Sequence, residues 1–259
     1  MRGLCAVFVI GLAMTLISGP TFSQNQAATP IELSKADRAE IEKFLGKGVV
    51  GKAVAGNPIA DTAKFFPFEP GSWTFQFTSG DNKGKTQEQS FETIKKDESG
   101  ATGRYQNGKD QTDFLIRAKD GSISVVSEQD AKQGVISRFS PPEPIYVGGL
   151  KPGDSKTFKI SVKVYDLSDP KDVTHSGSLD LTYSYVGAYE VTVPAGTYTA
   201  ALIRWDYGGE VGPASIKDTQ YRFLAEGVGV IAMIEKKDIS AVLIYHDHSK
   251  YGKVLMKSN

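Results

Sequence analysis

Cysteine is nearly absent from this sequence of 259 residues, which contains only Cys5. Cys5 lies in an N-terminal segment that we expect to be removed, so the mature chain would hold no thiol. A chain without thiols forms no disulfide, no thiolate metal site and no cysteine nucleophile. Its stability must then come from burial, for which a chain of this length has enough residues. Cys5 also precedes the end of the apolar run, which argues against a lipid-anchored protein.

An excess of either charge is also lacking, because 30 Lys and Arg balance 30 Asp and Glu. Nucleic-acid binding needs a basic surface for the phosphates, so the composition argues against a nucleic-acid partner. Histidine is scarce, with three residues, and the sequence contains no G-x-S-x-G motif of a serine hydrolase. No group of residues argues for an enzyme or requires a cofactor, and enzymatic activity is left open.

Long hydrophobic runs are absent beyond Ile17. Arg2 supplies a positive charge, the segment 4–17 is almost wholly apolar, and the segment 18–23 is small or polar, which is the order of a secretory signal peptide. The run is shorter than the roughly 20 residues of a membrane-spanning helix, although an uncleaved anchor is the alternative. We expect a signal peptide over 1–23, a mature chain that begins at Gln24 and has no membrane-spanning segment, and a periplasmic or secreted location.

One helix and a glycine-rich connector are expected in residues 24–64, after a polar lead. Ser34 and Asp37 have the spacing of a capping box, and apolar residues follow at helical spacing, which predicts a helix over Lys35–Leu45. Residues 46–53 have the glycine spacing of a phosphate-binding loop, but Ala53 stands where that loop needs serine or threonine. The segment follows a helix instead of a strand, so we interpret it as a connector.

The chain after Phe65 has the two-residue period of β-strands. In residues 157–166 and 178–185 apolar and polar side chains alternate, as in strands with one buried face. Turn sequences such as Asn107-Gly108 and Gly208-Gly209 separate further apolar runs. Around a dozen short strands of this kind predict a single all-β, mainly antiparallel domain over 65–259, strongly curved into a barrel or sandwich. The short N-terminal helix completes the predicted fold.

Residues 191–200, VTVPAGTYTA, interrupt two strand-like stretches with Pro194-Ala195-Gly196. Pro194 has no N–H to donate to a neighbouring strand, and Gly196 tolerates a kink. A ligand-binding loop would usually carry polar or charged residues at this turn, and none is present. We therefore interpret the segment as a corner of the sheet.

Three stretches together resemble a known family. They are FFPFEPGSWTFQF (65–77), VTVPAGTYTAALI (191–203) and YRFLAEGVGVIAMIE (221–235). This combination is similar to the TapB-like domain-of-unknown-function family of bacterial exported proteins, over about residues 65–246. Tyr198 stands where the family usually has phenylalanine. The resemblance implies an all-β exported fold and transfers no catalytic residue.

Aromatic residues are the one feature that points to a function, with 11 Tyr, 13 Phe and 2 Trp. Tyrosine combines an apolar ring with a polar hydroxyl, which suits the lining of a ligand cleft. We name as candidate ligand-binding residues the aromatics of one predicted sheet face, Tyr183, Tyr185, Trp205 and Tyr207. They predict a non-enzymatic protein that binds an apolar or lipid-like ligand. The alternative is a structural or partner-interaction module of the cell envelope, whose aromatics only fill a core.

His246 and His248 are the one local arrangement of metal-binding residue types. Two residues apart in a strand, both imidazoles could reach one Zn²⁺ or Cu²⁺. A zinc site normally has three or four protein ligands, and the remaining histidine, His175, lies far from this pair in the sequence. We therefore expect a solvated strand end without metal, and the sequence indicates no oligomeric state.

Overall fold

The computed structural model describes residues 29–241 and 245–259, so the expected signal peptide lies outside the described residues. Within these ranges no helix is both long enough and apolar enough to cross a membrane. The elements are α1 (Lys35–Leu45), β1 (Val50–Val54), a 3₁₀ turn (Thr62–Lys64), β2 (Gly71–Phe77), β3 (Thr86–Thr93), β4 (Gly103–Asn107), β5 (Gln111–Arg117), β6 (Ile123–Asp130), β7 (Val135–Tyr146), β8 (Ser155–Asp166), β9 (Val173–Val193), β10 (Gly196–Val211), β11 (Ala214–Ala225), β12 (Gly229–Ala241) and β13 (Tyr245–Ser258).

Twelve strands, β2 to β13, form a closed antiparallel barrel. Each pairs with the next along the chain, and β13 returns to pair with β2, where Leu255 lies opposite Phe75. The short β1 pairs with β9 beyond the end of β8, with Val50 opposite Val191. The predicted all-β, antiparallel fold with one N-terminal helix is therefore confirmed, and the sheet is a barrel.

On β9 to β11, alternate side chains enter two different apolar clusters, one on each face of the barrel wall. On β10, Ala201, Ile203 and Trp205 belong to a cluster with residues of β5 to β9. Ala200 and Leu202, between them in sequence, belong to a second cluster that includes the apolar side of α1. Because a strand places successive side chains on opposite faces, the first cluster lies inside the barrel and the second lies between the outer wall and the helix.

The helix has the predicted bounds, and the predicted cap residues are in contact. The Asp37 backbone N–H donates to the Ser34 hydroxyl over 3.0 Å, and the same hydroxyl donates to the Asp37 carboxylate over 2.7 Å. One face of the helix is buried through Ile41, Phe44 and Leu45. This burial attaches α1 to the outside of the barrel.

Polar contacts at the edge of the outer cluster also attach α1. The Tyr221 hydroxyl donates to Asp37 Oδ1 over 3.0 Å, and Arg204 Nη1 lies 3.8 Å from the same oxygen. Lys236 Nζ lies 2.9 Å from Glu40 Oε1. The Asp37 carboxylate thus contacts both the capping Ser34 hydroxyl and the barrel wall.

We expect Tyr221→Phe to lower the free energy of unfolding by about 1 to 2 kcal/mol, because it removes a hydrogen bond to a charged group and keeps the ring. Urea unfolding followed by circular dichroism would measure the change. Tyr165→Phe is the matched control, since the Tyr165 ring stacks on Arg138 and its hydroxyl makes no hydrogen bond to a described residue. Equal effects of the two substitutions would contradict this role of Tyr221.

Three segments differ from their sequence-based interpretation. The glycine-rich connector contains β1, which pairs with β9. Gly208 and Gly209 lie inside β10 instead of in a turn, because a Cβ on Gly209 would stand 2.2 Å from the carbonyl oxygen of Ser178, so glycine allows a close strand approach. Pro194 and Ala195 form the two-residue connection of the β9–β10 hairpin, a tighter reversal than a sheet corner.

Candidate functional site

One end of the barrel is covered by the segment between β1 and β2. The Ile59 N–H donates to the Leu150 carbonyl over 2.8 Å, and the Gly227 N–H donates to the Lys64 carbonyl over 2.6 Å. The Thr62 hydroxyl donates to the Gly121 carbonyl. Leu150, Gly227 and Gly121 belong to the β7–β8, β11–β12 and β5–β6 connections. The segment is therefore hydrogen-bonded to three loops and closes this end of the barrel.

An aromatic cluster lies directly inside the closed end. The Phe66 ring centroid lies 5.4 Å from that of Tyr146 and 6.0 Å from that of Trp73, both in stacked orientation. Phe91 contacts Phe66 edge-on with its centroid 4.9 Å away. The Trp73 indole N–H donates to the carbonyl of Val228 over 2.9 Å. This cluster, hereafter the aromatic floor (Phe66, Trp73, Phe91 and Tyr146), seals the barrel from below.

The opposite end is open and leads into a cavity. The interior holds a cavity of about 340 Å³, and a wider space of about 1240 Å³ forms its mouth. The two share wall residues from β3 to β6 and β12, including Gln89, Asn107 and Glu235, so they are continuous. The mouth lies among the β2–β3, β4–β5 and β6–β7 turns.

Strand alternation explains why polar side chains line this cavity. On β11, Ile216, Asp218, Gln220 and Arg222 face the cavity. The intervening Tyr221 faces the outer cluster, as a residue of opposite parity must. Above the aromatic floor the barrel interior is therefore partly polar. Small barrels are usually filled by side chains, whereas larger barrels enclose ligand cavities, and this barrel has such a cavity.

Six carboxylates line the interior cavity among the described residues. Gln111 Nε2 donates to two of them, over 3.1 and 3.0 Å, the Tyr207 hydroxyl donates to a third, and the Tyr251 hydroxyl donates to a fourth over 2.7 Å. Each of these donors is neutral. The carboxylates are Asp113 on β5, Glu128 and Asp130 on β6, Glu143 on β7, Asp218 on β11 and Glu235 on β12.

Burial shifts the ionisation of several of these groups towards neutral pH. Removal from bulk water raises the pKa of Asp113 to about 6, of Asp218 to about 6 and of Glu143 to about 7. The same cause raises the pKa of Glu128 well above its usual range. Desolvation penalises the charged form, so these carboxyls take up protons at a higher pH than exposed ones.

Three cationic side chains among the described residues, Arg222, Lys237 and Lys253, line the same cavity. The Arg222 guanidinium lies 3.7 Å from the ring centroid of Trp205 and donates to Gln220 Oε1 over 2.6 and 3.0 Å. Lys253 Nζ donates to Gln87 Oε1 over 2.8 Å, and burial lowers its pKa to about 8. Arg222 and Lys253 are thus held by neutral acceptors and, for Arg222, an aromatic face.

The four aromatic residues named from the sequence occupy two environments. Tyr183, Tyr185 and Trp205 are fully buried in the interior cluster, while Tyr207 borders the cavity. All four lie on the same inward face of the sheet. They differ in their position along the barrel axis: three rings lie in the packed region, and the Tyr207 ring lies at the cavity. Ligand contact by these residues stays a prediction.

The histidine pair lies in the β12–β13 ribbon. His248 Nδ1 lies 3.1 Å from Asp238 Oδ1, and the His248 side chain is more than half exposed. The side chain of His246 lies outside the described residues. Within the described part of the chain, no group of three or more His, Cys, Asp or Glu side chains is arranged to hold a metal ion.

The cavity charges were missed by the sequence analysis. The segment IKDTQYR, residues 216–222, places polar residues on both faces of a strand that belongs to a closed wall. Such a strand, in a sheet with a filled apolar interior, would show apolar residues at every second position. Asp218, Gln220 and Arg222 at alternate positions are therefore the signal of a polar interior.

Comparisons with known proteins give two solved structures similar to this chain. One is a presumed lipoprotein from Parabacteroides distasonis, with 15% identity, a TM-score of 0.38, and coverage of 75% of this chain and 98% of that chain. The other is a presumed exported protein with a YmcC-like fold from Bacteroides fragilis, with 12% identity, a TM-score of 0.40, and coverage of 74% and 96%. No family model and no curated protein matches the chain, so the resemblance to the TapB-like family stays a prediction.

Proposed function

We propose that this protein is an exported, non-enzymatic binding protein that takes a small ligand into the open end of its barrel. The observation that carries the proposal is the open interior cavity of about 340 Å³, within the roughly 300 to 1,000 Å³ usual for ligand sites. Its walls are polar where the interior of a protein without a ligand would be apolar and packed. Export follows from the signal-peptide pattern of residues 1–23.

The lining favours a ligand that has both polar and apolar parts. Phe66, Leu115, Val230 and Met233 contribute apolar surface, and charged or amide side chains contribute the rest. A wholly apolar or lipid-like ligand would take these charged groups out of water without replacing their hydrogen bonds, which is costly. An amphipathic small molecule would bury its apolar part and satisfy the polar walls.

The outer surface offers less support for the alternative of a partner-interaction module. Val173 is the one large hydrophobic side chain among the described residues that is strongly exposed, at 45%. Interaction surfaces commonly present a contiguous apolar patch of several hundred Å². With one strongly exposed large hydrophobic side chain among the described residues, the surface gives less support for this alternative than the cavity gives for a ligand.

Native mass spectrometry of the protein purified from its producing organism tests the proposal. We expect a bound small molecule that is lost in Ser137→Trp, because Ser137 lines the cavity and an indole would occupy much of its volume. Ser161→Trp, at an exposed position of β8, is the matched control and should retain the molecule. The proposal fails if the wild-type protein carries no small molecule, or if both variants retain it equally.

A further inference from the structure

The charges of the interior cavity do not balance. Among the described residues, six carboxylates face three cations inside it, whereas the mouth, which shares Asp130, Glu235 and Lys237 with it, is lined by four lysines and four carboxylates, so the acidic excess lies in the interior. Resting on the function proposed above, we propose that the ligand is an organic cation, an amine whose ammonium group binds at Asp218 and Glu235 while its apolar part points to the aromatic floor. A low-dielectric wall around such an excess focuses the negative potential inside.

Asp218 has an unused acceptor in this cavity. The residue is 9% exposed and lines the cavity, and its Oδ2 accepts from Gln220 Nε2 over 2.6 Å. Its Oδ1 has no hydrogen-bond partner among the described residues. Lys237 lies opposite Asp218 on β12, yet no hydrogen bond from it reaches this oxygen. A buried carboxylate oxygen without a donor is costly, and an ammonium group would supply that donor.

Glu235 places a second carboxylate on the same sheet face, diagonal to Asp218. In the β11–β12 pair, Gln220 lies opposite Glu235, and Asp218 is the next residue of β11 on the same face. The Glu235 carboxylate accepts its hydrogen bond from the neutral Tyr251 hydroxyl and not from a cation. Two carboxylates within one diagonal of the sheet form a suitable site for one ammonium group.

Two of the three cavity cations are held by neutral acceptors. In the described part of the chain, Arg222 donates to Gln220 and Lys253 donates to Gln87, and neither makes an ion pair within 4 Å with any of the six carboxylates. The side-chain donors to the carboxylates described above are amides and hydroxyls. Neutral donors satisfy the geometry of a carboxylate without cancelling its charge, so the charge remains available to a ligand.

The ionisation of the walls gives the binding a definite pH dependence. In the free protein burial raises the pKa of Asp218 to about 6, and nearby Glu235 raises it further while Arg222 and Lys237 oppose the shift. Burial also raises the pKa of Asp113 and of Glu143. A bound ammonium favours the ionised carboxylates, so binding releases protons and tightens between about pH 5 and about pH 8. Burial also raises the pKa of Glu128 well above its usual range and lowers that of Lys253 to about 8, so loss of the lysine charge near the upper end of this interval further favours a cationic ligand. The tyrosines of the cavity and its mouth, Tyr105, Tyr146, Tyr207 and Tyr251, remain neutral because burial raises their pKa values.

Three probes of one shape but different charge test the inference by calorimetry: 3-phenylpropylamine, 3-phenylpropan-1-ol and 3-phenylpropionate. We expect the amine to bind at least about tenfold more tightly than the alcohol, a difference typical of one charge-assisted contact, and the carboxylate to bind most weakly. Titrations near neutral pH in two buffers of different ionisation enthalpy should show proton release with the amine alone. Equal or tighter binding of the carboxylate overturns the inference, and so does absence of amine binding at about 10 mM.

Asp218→Asn locates the site. This variant keeps the shape of the side chain, and we expect it to weaken amine binding about tenfold or more while leaving the alcohol unchanged. Asp180→Asn, at an exposed position of β9, is the matched control. Glu235→Gln provides a second test if Asp218→Asn unfolds. Unchanged amine affinity in a folded site variant overturns the assignment.

The native mass spectrometry described above decides the proposed function separately, because a bound anion or neutral molecule would preserve that function and overturn only the cationic ligand.

Discussion

Replacing Phe66 by alanine is expected to lower the free energy of unfolding by about 3 to 5 kcal/mol, the usual cost of removing a large buried aromatic side chain. Phe66 is 4% exposed and contacts the other rings of the aromatic floor. The covering segment has no helix or sheet long enough to replace those contacts, so the gap would persist. Urea unfolding followed by tryptophan fluorescence would measure the loss.

Phe114→Ala is the control for this experiment. Phe114 is half-buried on β5 and belongs to neither apolar cluster, so its loss should cost about 1 kcal/mol. A Phe66→Ala variant that unfolds within about 1 kcal/mol of the wild-type protein would show that the floor lies outside the cooperative core.

Glu143→Gln is expected to stabilise the protein at about pH 8 by up to roughly 3 kcal/mol, because each unit of pKa shift corresponds to about 1.4 kcal/mol. Burial raises the pKa of Glu143 from its ordinary 4.5 to about 7. The folded state therefore binds more protons than the unfolded state between these values, and the wild-type protein should lose stability as the pH rises through them. Glutamine stays neutral and still accepts from Tyr207, so its benefit should vanish below about pH 4.5.

Unfolding free energies measured in urea at about pH 5 and about pH 8 would test this dependence. Glu210→Gln, at an exposed position of β10, is the matched control and should change little at either pH. A Glu143→Gln variant that is less stable than the wild-type protein at the higher pH would contradict a buried, ionised carboxylate at this position.

Local signals in the sequence were enough to predict the helix and several of the strands, but not β1. The spacing of Ser34 and Asp37 correctly predicted where the helix begins, and the alternation of apolar and polar residues predicted which faces of β8 and β9 are buried. Both signals act between residues close in sequence. Gly208-Gly209 was interpreted as a turn, but glycine occurs both in turns and where strands approach closely. Which of these applies depends on β9, whose Ser178 carbonyl comes close to Gly209.

The candidate site was predictable only in part. Alternation correctly placed Tyr183, Trp205 and Tyr207 on one inward face, but it contains no information on depth along the barrel axis. Whether an inward residue meets packed rings or open space depends on the covering segment and its Phe66. That segment reaches the barrel end through contacts between residues far apart in the sequence, such as the one from Thr62 to Gly121.

The return of β13 to β2 makes closure of the barrel a late event. Every other neighbour in the ring is joined by a hairpin connection, whereas β2 ends at Phe77 and β13 begins only at Tyr245, with all the other barrel strands between them. Hairpins pair strands that are neighbours in sequence, but the free edge of β2 must wait for β13, far along the chain. An unpaired strand edge is a template for association with other chains. The folding chain thus carries an exposed β2 edge until β13 pairs with it.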